Sequence, residues 1–283
     1  MKRLVVILGA AGVSLSAVFV RWSTAPSLVL AFYRMAFSAL LMAPAAWLRR
    51  REFRDLRRRE LGLSLLSGAF LGGHFACYFE ALRRTSIAAA VVLVDTEVLF
   101  VALASALLLG KKPGGRAWAA VLLAFGGSVT VALADASAGA DALRGNLFAL
   151  SGALCMAAYT MLGAVCRRRL STTVYTALVY LSAACTGLAA ALAGGQALTG
   201  WGAASLLSGL GMAVFCTLLG HSVFSWGLKF LPPAFISTVK LLEPVFASVW
   251  GLLLFAERPG LQVILGGGLI LLGVALYGRE AEP

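Results

Sequence analysis

Apolar runs about as long as a bilayer is thick recur along almost the whole chain, and no other feature restricts the fold so strongly. A helix needs about 20 mostly apolar residues to cross the hydrocarbon core. Lipid offers no hydrogen bonds, so each crossing segment must satisfy its own backbone groups. Ten such runs can be read: Leu4–Val20, Leu28–Leu48, Leu61–Leu82, Ser86–Leu109, Arg116–Ala134, Leu147–Val165, Thr172–Ala193, Ala204–Leu228, Ala234–Phe255 and Leu261–Tyr277. Pro26, Lys112-Pro113-Gly114-Gly115, Gly194-Gly195, Pro232-Pro233 and Arg258-Pro259-Gly260 punctuate the joins. Only 13% of the 283 residues are charged and 60% are hydrophobic, against about 25% charged in an ordinary soluble domain. One soluble core cannot hide that much apolar surface. The expected fold is therefore an all-α polytopic membrane protein with ten transmembrane helices. Lys2 and Arg3 before the first run imitate a signal peptide. The run has no clear small-x-small cleavage site and more spans follow, so it is read as the first helix.

The net charge of +12 does not point to nucleic acid, because the basic residues sit in short clusters between apolar runs. These are Arg49 to Arg59, then Lys111, Lys112 and Arg116, then Arg167 to Arg169. With the N-terminus inside, 17 Lys and Arg fall on the cytoplasmic side and 5 outside, leaving Arg34 and Lys240 within spans to complete the 24. That bias places both termini in the cytoplasm of an inner (plasma) membrane, with an anionic lipid surface as the partner of the clusters. Trp22, Trp47, Trp118 and Trp201 fall near span ends, as an aromatic belt would place them. Five cysteines without C-x-x-C spacing read as apolar packing residues, not as metal ligands or disulfides.

The second half repeats the first at a shift of 146 positions. Glu97 then meets Glu243, Phe100 meets Phe246, Leu107-Leu108 meets Leu253-Leu254, and Pro113-Gly114 meets Pro259-Gly260. The expected units are residues 1–135 and 144–279. Each holds five spans, an odd number, so the second enters the membrane inverted. Inverted repeats are a transporter architecture with the site near the midplane between the halves. The stretch Ala81-Leu82-Arg83-Arg84-Thr85-Ser86 through Val94, and its counterpart Gly220-His221 through Pro232, resemble the third-to-fourth helix signature of the EamA-type drug/metabolite transporters. Leu242-Glu243-Pro244-Val245, running to Glu257-Arg258-Pro259, resembles that family's ninth helix, and Phe32-Tyr33-Arg34 its second-helix arginine. The resemblance covers nearly the whole chain as two domains. It implies ten helices, cytoplasmic termini and export of small metabolites, often amino acids or related compounds. Two departures stand out: Val98, not proline, follows Glu97, and Lys111 stands opposite Glu257.

Ionisable groups within lipid are costly and usually face a cavity or a partner. Glu97 and Glu243 lie near mid-span, as cavity carboxylates that take a cationic group or a coupling proton, or as packing groups paired with a neighbouring helix. Pro244 withholds an N–H there and frees a carbonyl. Lys240, three residues before Glu243, either neutralises it or meets a substrate carboxylate. Arg34 is expected to pair with Asp95 or Glu97; it could also snorkel outward or bind an anionic group. Asp95 and Glu97 are two apart, which on a continuous helix turns at most one toward a cavity. His74 and His221, at an offset of 147, suit hydrogen-bonded packing or proton handling. Glu80 pairs with Arg83 or Arg84 near the outer end. Among the aromatics, Tyr78 and Trp226 join the candidate substrate-binding or coupling set. Gly68-x-x-x-Gly72 and Gly266-Gly267-Gly268 permit close helix approach.

No phosphate-cradling glycine loop, zinc-protease motif or nucleophile elbow occurs. The chain is thus expected to be a secondary transporter, not an enzyme, with no cofactor. Its expected partners are a small-molecule substrate, protons as coupling ion, and membrane lipid. A lipid flippase or a non-transporting scaffold are the rival readings, and no sequence feature speaks to oligomeric state.

Overall fold

The computed structural model describes residues 2–84, 90, 93–108, 114–133, 142–256 and 260–280. Most of the expected fourth span before Leu93, and Lys111 and Glu257, lie outside the described residues. The described residues form helices and no strand. In order these are α1 (Lys2–Ser14), α2 (Ser16–Trp22), α3 (Ser27–Leu48), α4 (Arg50–Arg54), α5 (Arg58–Arg84), α6 (Glu97–Leu108), α7 (Gly115–Leu133), α8 (Ala142–Cys166), α9 (Thr172–Ala193), α10 (Gly202–Gly211), a π-helical stretch (Met212–His221), α11 (Ser222–Gly227), α12 (Pro233–Lys240), α13 (Glu243–Phe255) and α14 (Leu261–Glu280). Among the described residues, six helical segments are long and apolar enough to cross a membrane: Lys2–Trp22, Ser27–Leu48, Arg58–Arg84, Leu143–Cys166, Thr172–Ala193 and Gly202–Gly227.

Local chemistry sets the ends of these helices. Ser171 caps α9, its hydroxyl accepting from the Val174 N–H at 3.3 Å. At the other end Gly195 adopts φ +63. Its N–H reaches the Leu192 carbonyl while Gln196 N–H reaches Ala191, a Schellman arrangement that a Cβ would strain. Glu60 reaches back to the Arg57 N–H at 3.2 Å, satisfying one of the free donors that begin α5. Pro232 and Pro233 open α12, where a missing N–H costs nothing.

Between helices in lipid there is no strong hydrophobic drive, so close van der Waals packing holds the bundle. Gly68 and Gly72 press α5 onto α9. A Cβ at Gly68 would strike the Val179 carbonyl oxygen, and one at Gly72 would come within 2.7 Å of Thr186. Gly127 and Gly273 let α7 and α14 meet, and a Cβ on Gly127 would lie 2.6 Å from the Gly266 carbonyl. Of the Gly266-Gly267-Gly268 run, Gly268 meets nothing within 4 Å and Gly267 makes only an ordinary contact. The buried apolar side chains fall into two main clusters. One joins α1, α6, α7 and α11 to α14; the other joins α3, α5, α8, α9 and the π-helical stretch. Each mixes residues from both halves of the chain.

Arg167, placed by its sequence in a basic loop cluster, is 1% exposed. Its guanidinium donates to the Ser225 carbonyl at 2.9 Å, to the Leu170 carbonyl, and to Thr172 Oγ1 at 2.6 Å. It ties the α8–α9 turn to α11. Arg167→Met is expected to leave those acceptors short of donors and lower the unfolding midpoint in detergent, at a cost of about 2–3 kcal/mol for hydrogen bonds from a charged group. Arg168→Met, on an exposed neighbour, is expected to change it by less than about 0.5 kcal/mol.

Candidate functional site

Three interruptions of helix converge near the middle of the bundle, and the ionisable side chains gather around them. The ninth expected span, Ala234–Phe255, is not continuous. It breaks at Leu241-Leu242, whose N–H groups bond three residues back to Thr238 and Val239. Pro244 has no N–H to offer the Lys240 carbonyl, so the ladder cannot continue across that point. A matching break precedes α6. Thr96 forms a turn, its hydroxyl donates to the Leu93 carbonyl at 2.6 Å, and Glu97 begins the next helix. Glu97 and Glu243 thus both occupy the first turn of a half-helix, where the positive end of the backbone dipole favours a carboxylate. The third interruption is the π-helical stretch, whose wider turns carry Thr217 and His221 inward.

Between the two apolar clusters lies a cavity of about 40 Å³ lined by Val13, Ser16, Arg34, His74, Phe75, Tyr78, Val94, Asp95, Glu97, Met156, His221, Phe224, Lys240 and Glu243. Eight of the nine candidate residues are therefore brought together. Trp226 is not among the lining residues; it is half-buried and packs against Phe230 at 5.1 Å between ring centroids. Eight lining positions form pairs separated by 146: Phe75 with His221, Tyr78 with Phe224, Val94 with Lys240, and Glu97 with Glu243. The register partner of His221 is thus Phe75, not His74, and the two rings meet edge-on at 5.5 Å.

The ion pairs differ from the expected ones. Lys240 does not neutralise Glu243 on its own span; its ammonium lies 2.9 Å from Glu97 Oε1 and 3.3 Å from Thr160 Oγ1. The break at Leu241-Leu242 removes the continuous helix that a three-residue spacing presupposes. Arg34, 1% exposed, makes no ion pair among the described residues. It donates to Thr217 Oγ1 at 3.0 Å and to Ser16 Oγ at 3.3 Å, and lies 4.1 Å from the Phe75 ring centroid. Its Nη2 finds no hydrogen-bond partner among the described residues. Asp95 and Glu97 both line the cavity, because the turn at Thr96 breaks the helical phase between them. Glu80 behaves as expected, 3.4 Å from Arg84.

The histidines have different surroundings. His74 Nδ1 bonds the Gly152 carbonyl at 3.0 Å and its ring stacks on Tyr78. His221 Nδ1 has no partner among the described residues, and its ring is enclosed by Phe75, Tyr159 and Phe224. Sequence reasoning passed over Ser16, Thr160 and Thr217, the hydroxyls that solvate the two buried cations. Polar residues inside an apolar span were the available signal, but hydroxyls are too common here to single these out. Met156 and Val13 carried no signal of their own.

Comparison with known proteins identifies the family. The EamA-like transporter family matches residues 2–133 and again 143–279. The pseudopaline exporter CntI of Pseudomonas aeruginosa is 26% identical over 268 residues, covering 92% of this chain and 89% of its own. An uncharacterized protein of the same species is 31% identical over 256 residues, covering 88% and 85%. A solved crystal structure, 17% identical, superposes with a TM-score of 0.81 over 100% of this chain and 99% of its own, which establishes likeness of fold. With two successive matches spanning nearly its whole length, the chain belongs to the EamA-like transporter family and is a multi-pass membrane transporter.

Proposed function

We propose that the protein is a secondary active transporter of the inner membrane that exports small metabolites, amino acids or related compounds, by alternating access. The observation that carries this reading is the cavity at the helix breaks, where cations and carboxylates from both halves meet. Its pairs at a 146-residue interval support two inverted five-helix repeats, residues 1–135 and 144–279, with ten spans and both termini cytoplasmic. Arg34 and Lys240 would meet a substrate carboxylate; Glu97, Glu243 and Asp95 would meet an ammonium or take a coupling proton. A cavity of about 40 Å³ is far below the roughly 300 Å³ of an ordinary small-molecule pocket, so in this reading a metabolite enters when the halves separate.

A lateral groove of about 370 Å³ runs along α1, lined by residues including Val5, Leu8, Gly12, Leu15 and Trp250. It is apolar, and none of its lining residues lines the cavity. Among the described residues its lining carries no charged side chain for a lipid headgroup, which favours the metabolite reading over the flippase one.

The test is counterflow in proteoliposomes with a pooled panel of labelled amino acids, with and without a pH gradient. Saturable exchange is expected. Glu243→Gln is expected to reduce it at least about tenfold, and Glu97→Gln with Glu243→Gln to remove its dependence on the pH gradient. If the double variant leaves both rate and pH dependence at wild-type values, the cavity is not the site.

A further inference from the structure

We propose that the Lys240 ammonium is a tethered stand-in for the cationic group of the cargo, holding Glu97 neutralised while the carrier is empty. The inference rests on the alternating-access reading above. Lys240 belongs to α12 in the second half and Glu97 to α6 in the first, so their 2.9 Å contact spans the two halves. It occupies one carboxylate oxygen only. Glu97 Oε2 is buried and has no hydrogen-bond partner among the described residues, so the carboxylate keeps an open acceptor inside the cavity. Lys240 in turn has a second carboxylate available: Glu243 lies three residues on, lines the same cavity, and is within electrostatic reach of the ammonium. A cargo ammonium arriving at Glu97 can displace Lys240, whose flexible four-carbon stem lets it move to Glu243.

The physical consequence concerns the return of the empty carrier. A lone ionised carboxylate in a low-dielectric bundle carries a desolvation penalty of several kcal/mol. A carrier with such a group changes conformation only when a cargo or a proton neutralises it. Here the pair is 11% and 4% exposed and supplies its own counter-charge, so reorientation without cargo needs no proton. When cargo takes Glu97, the contact between halves changes to a contact within the second half, which weakens the hold of one half on the other.

The test uses the full chain in proteoliposomes with no cargo added. Met156→Cys, in a background with the five native cysteines replaced, serves as the reporter, labelled by a membrane-impermeant maleimide from either face. Wild-type Lys240 is expected to give labelling from both faces at about pH 8. Lys240→Gln is expected to slow labelling from one face by about tenfold or more, Lys240→Arg to keep both, and Lys240→Gln with Glu97→Gln to restore both. That double variant also shows that the fold tolerates loss of Lys240. Two-face labelling in Lys240→Gln at the wild-type ratio, or no recovery in the double variant, overturns the inference and leaves the transporter reading intact. One-face labelling with Lys240 and Glu97 both in place would overturn alternating access itself and the inference with it.

Discussion

Glu97→Ala is expected to lower the stability of the folded protein by about 3–5 kcal/mol, the cost of leaving a buried charge without its partner. The Lys240 ammonium would retain one hydroxyl, Thr160 Oγ1 at 3.3 Å, and the face of Phe224 at 5.7 Å. Neither carries a counter-charge, so the ammonium must give up the Thr160 contact and swing to Glu243, in the same cavity, to find one. Lys240→Met in the Glu97→Ala background should recover most of the loss, because a pair of neutral side chains leaves no ion stranded. A double-mutant cycle on unfolding midpoints in detergent measures this directly. A strongly unfavourable single variant and a mild double variant are expected. Additive losses would mean that the two residues act independently, and the 2.9 Å contact would then contribute nothing to the fold.

The second large effect is mechanical. Gly68→Leu is expected to destabilise the protein by about 3 kcal/mol or more, at or beyond the upper end for overpacking, and to reduce the yield of monodisperse protein. A Cβ at that position strikes the Val179 carbonyl oxygen and comes 2.6 Å from Ser182 Cβ. Backbone on the opposing helix cannot swing aside as a side chain can, so α5 and α9 must separate along their length. Gly62→Leu is the matched comparison. It lies on the same helix, meets nothing within 4 Å, and should not lower the midpoint, because leucine is the better helix former. Equal losses at both positions would show that the close approach to α9 is not what Gly68 protects.

Much of the candidate site was legible before any coordinates. Lipid makes an intramembrane charge expensive, so the few that occur are informative, and Arg34, Asp95, Glu97, Lys240 and Glu243 could be singled out by position alone. All five line the cavity. The two histidines and Tyr78 were weaker candidates on the same reasoning and lie with them. Trp226 shows where that reasoning loses force. Aromatic side chains are at home in the core, in the lipid and in a pocket alike, so residue type says little about direction.

Which charges would touch was not legible. Sequence separation favoured Lys240 with Glu243, three apart, over Lys240 with Glu97, which are 143 apart. That preference assumes an unbroken helix, and the break at Leu241-Leu242 removes it. The turn at Thr96 likewise brings Asp95 and Glu97 to one cavity, and hydroxyls of Ser16 and Thr217 replace the carboxylate expected beside Arg34. By itself the sequence determined that the chain is helical, that it lives in lipid, and where its costly groups lie, because the penalties for bare backbone and bare charge act on every residue locally. Only the tertiary structure decided their partners, because pairing depends on where helical phase is lost and on which distant helix a glycine admits to close contact.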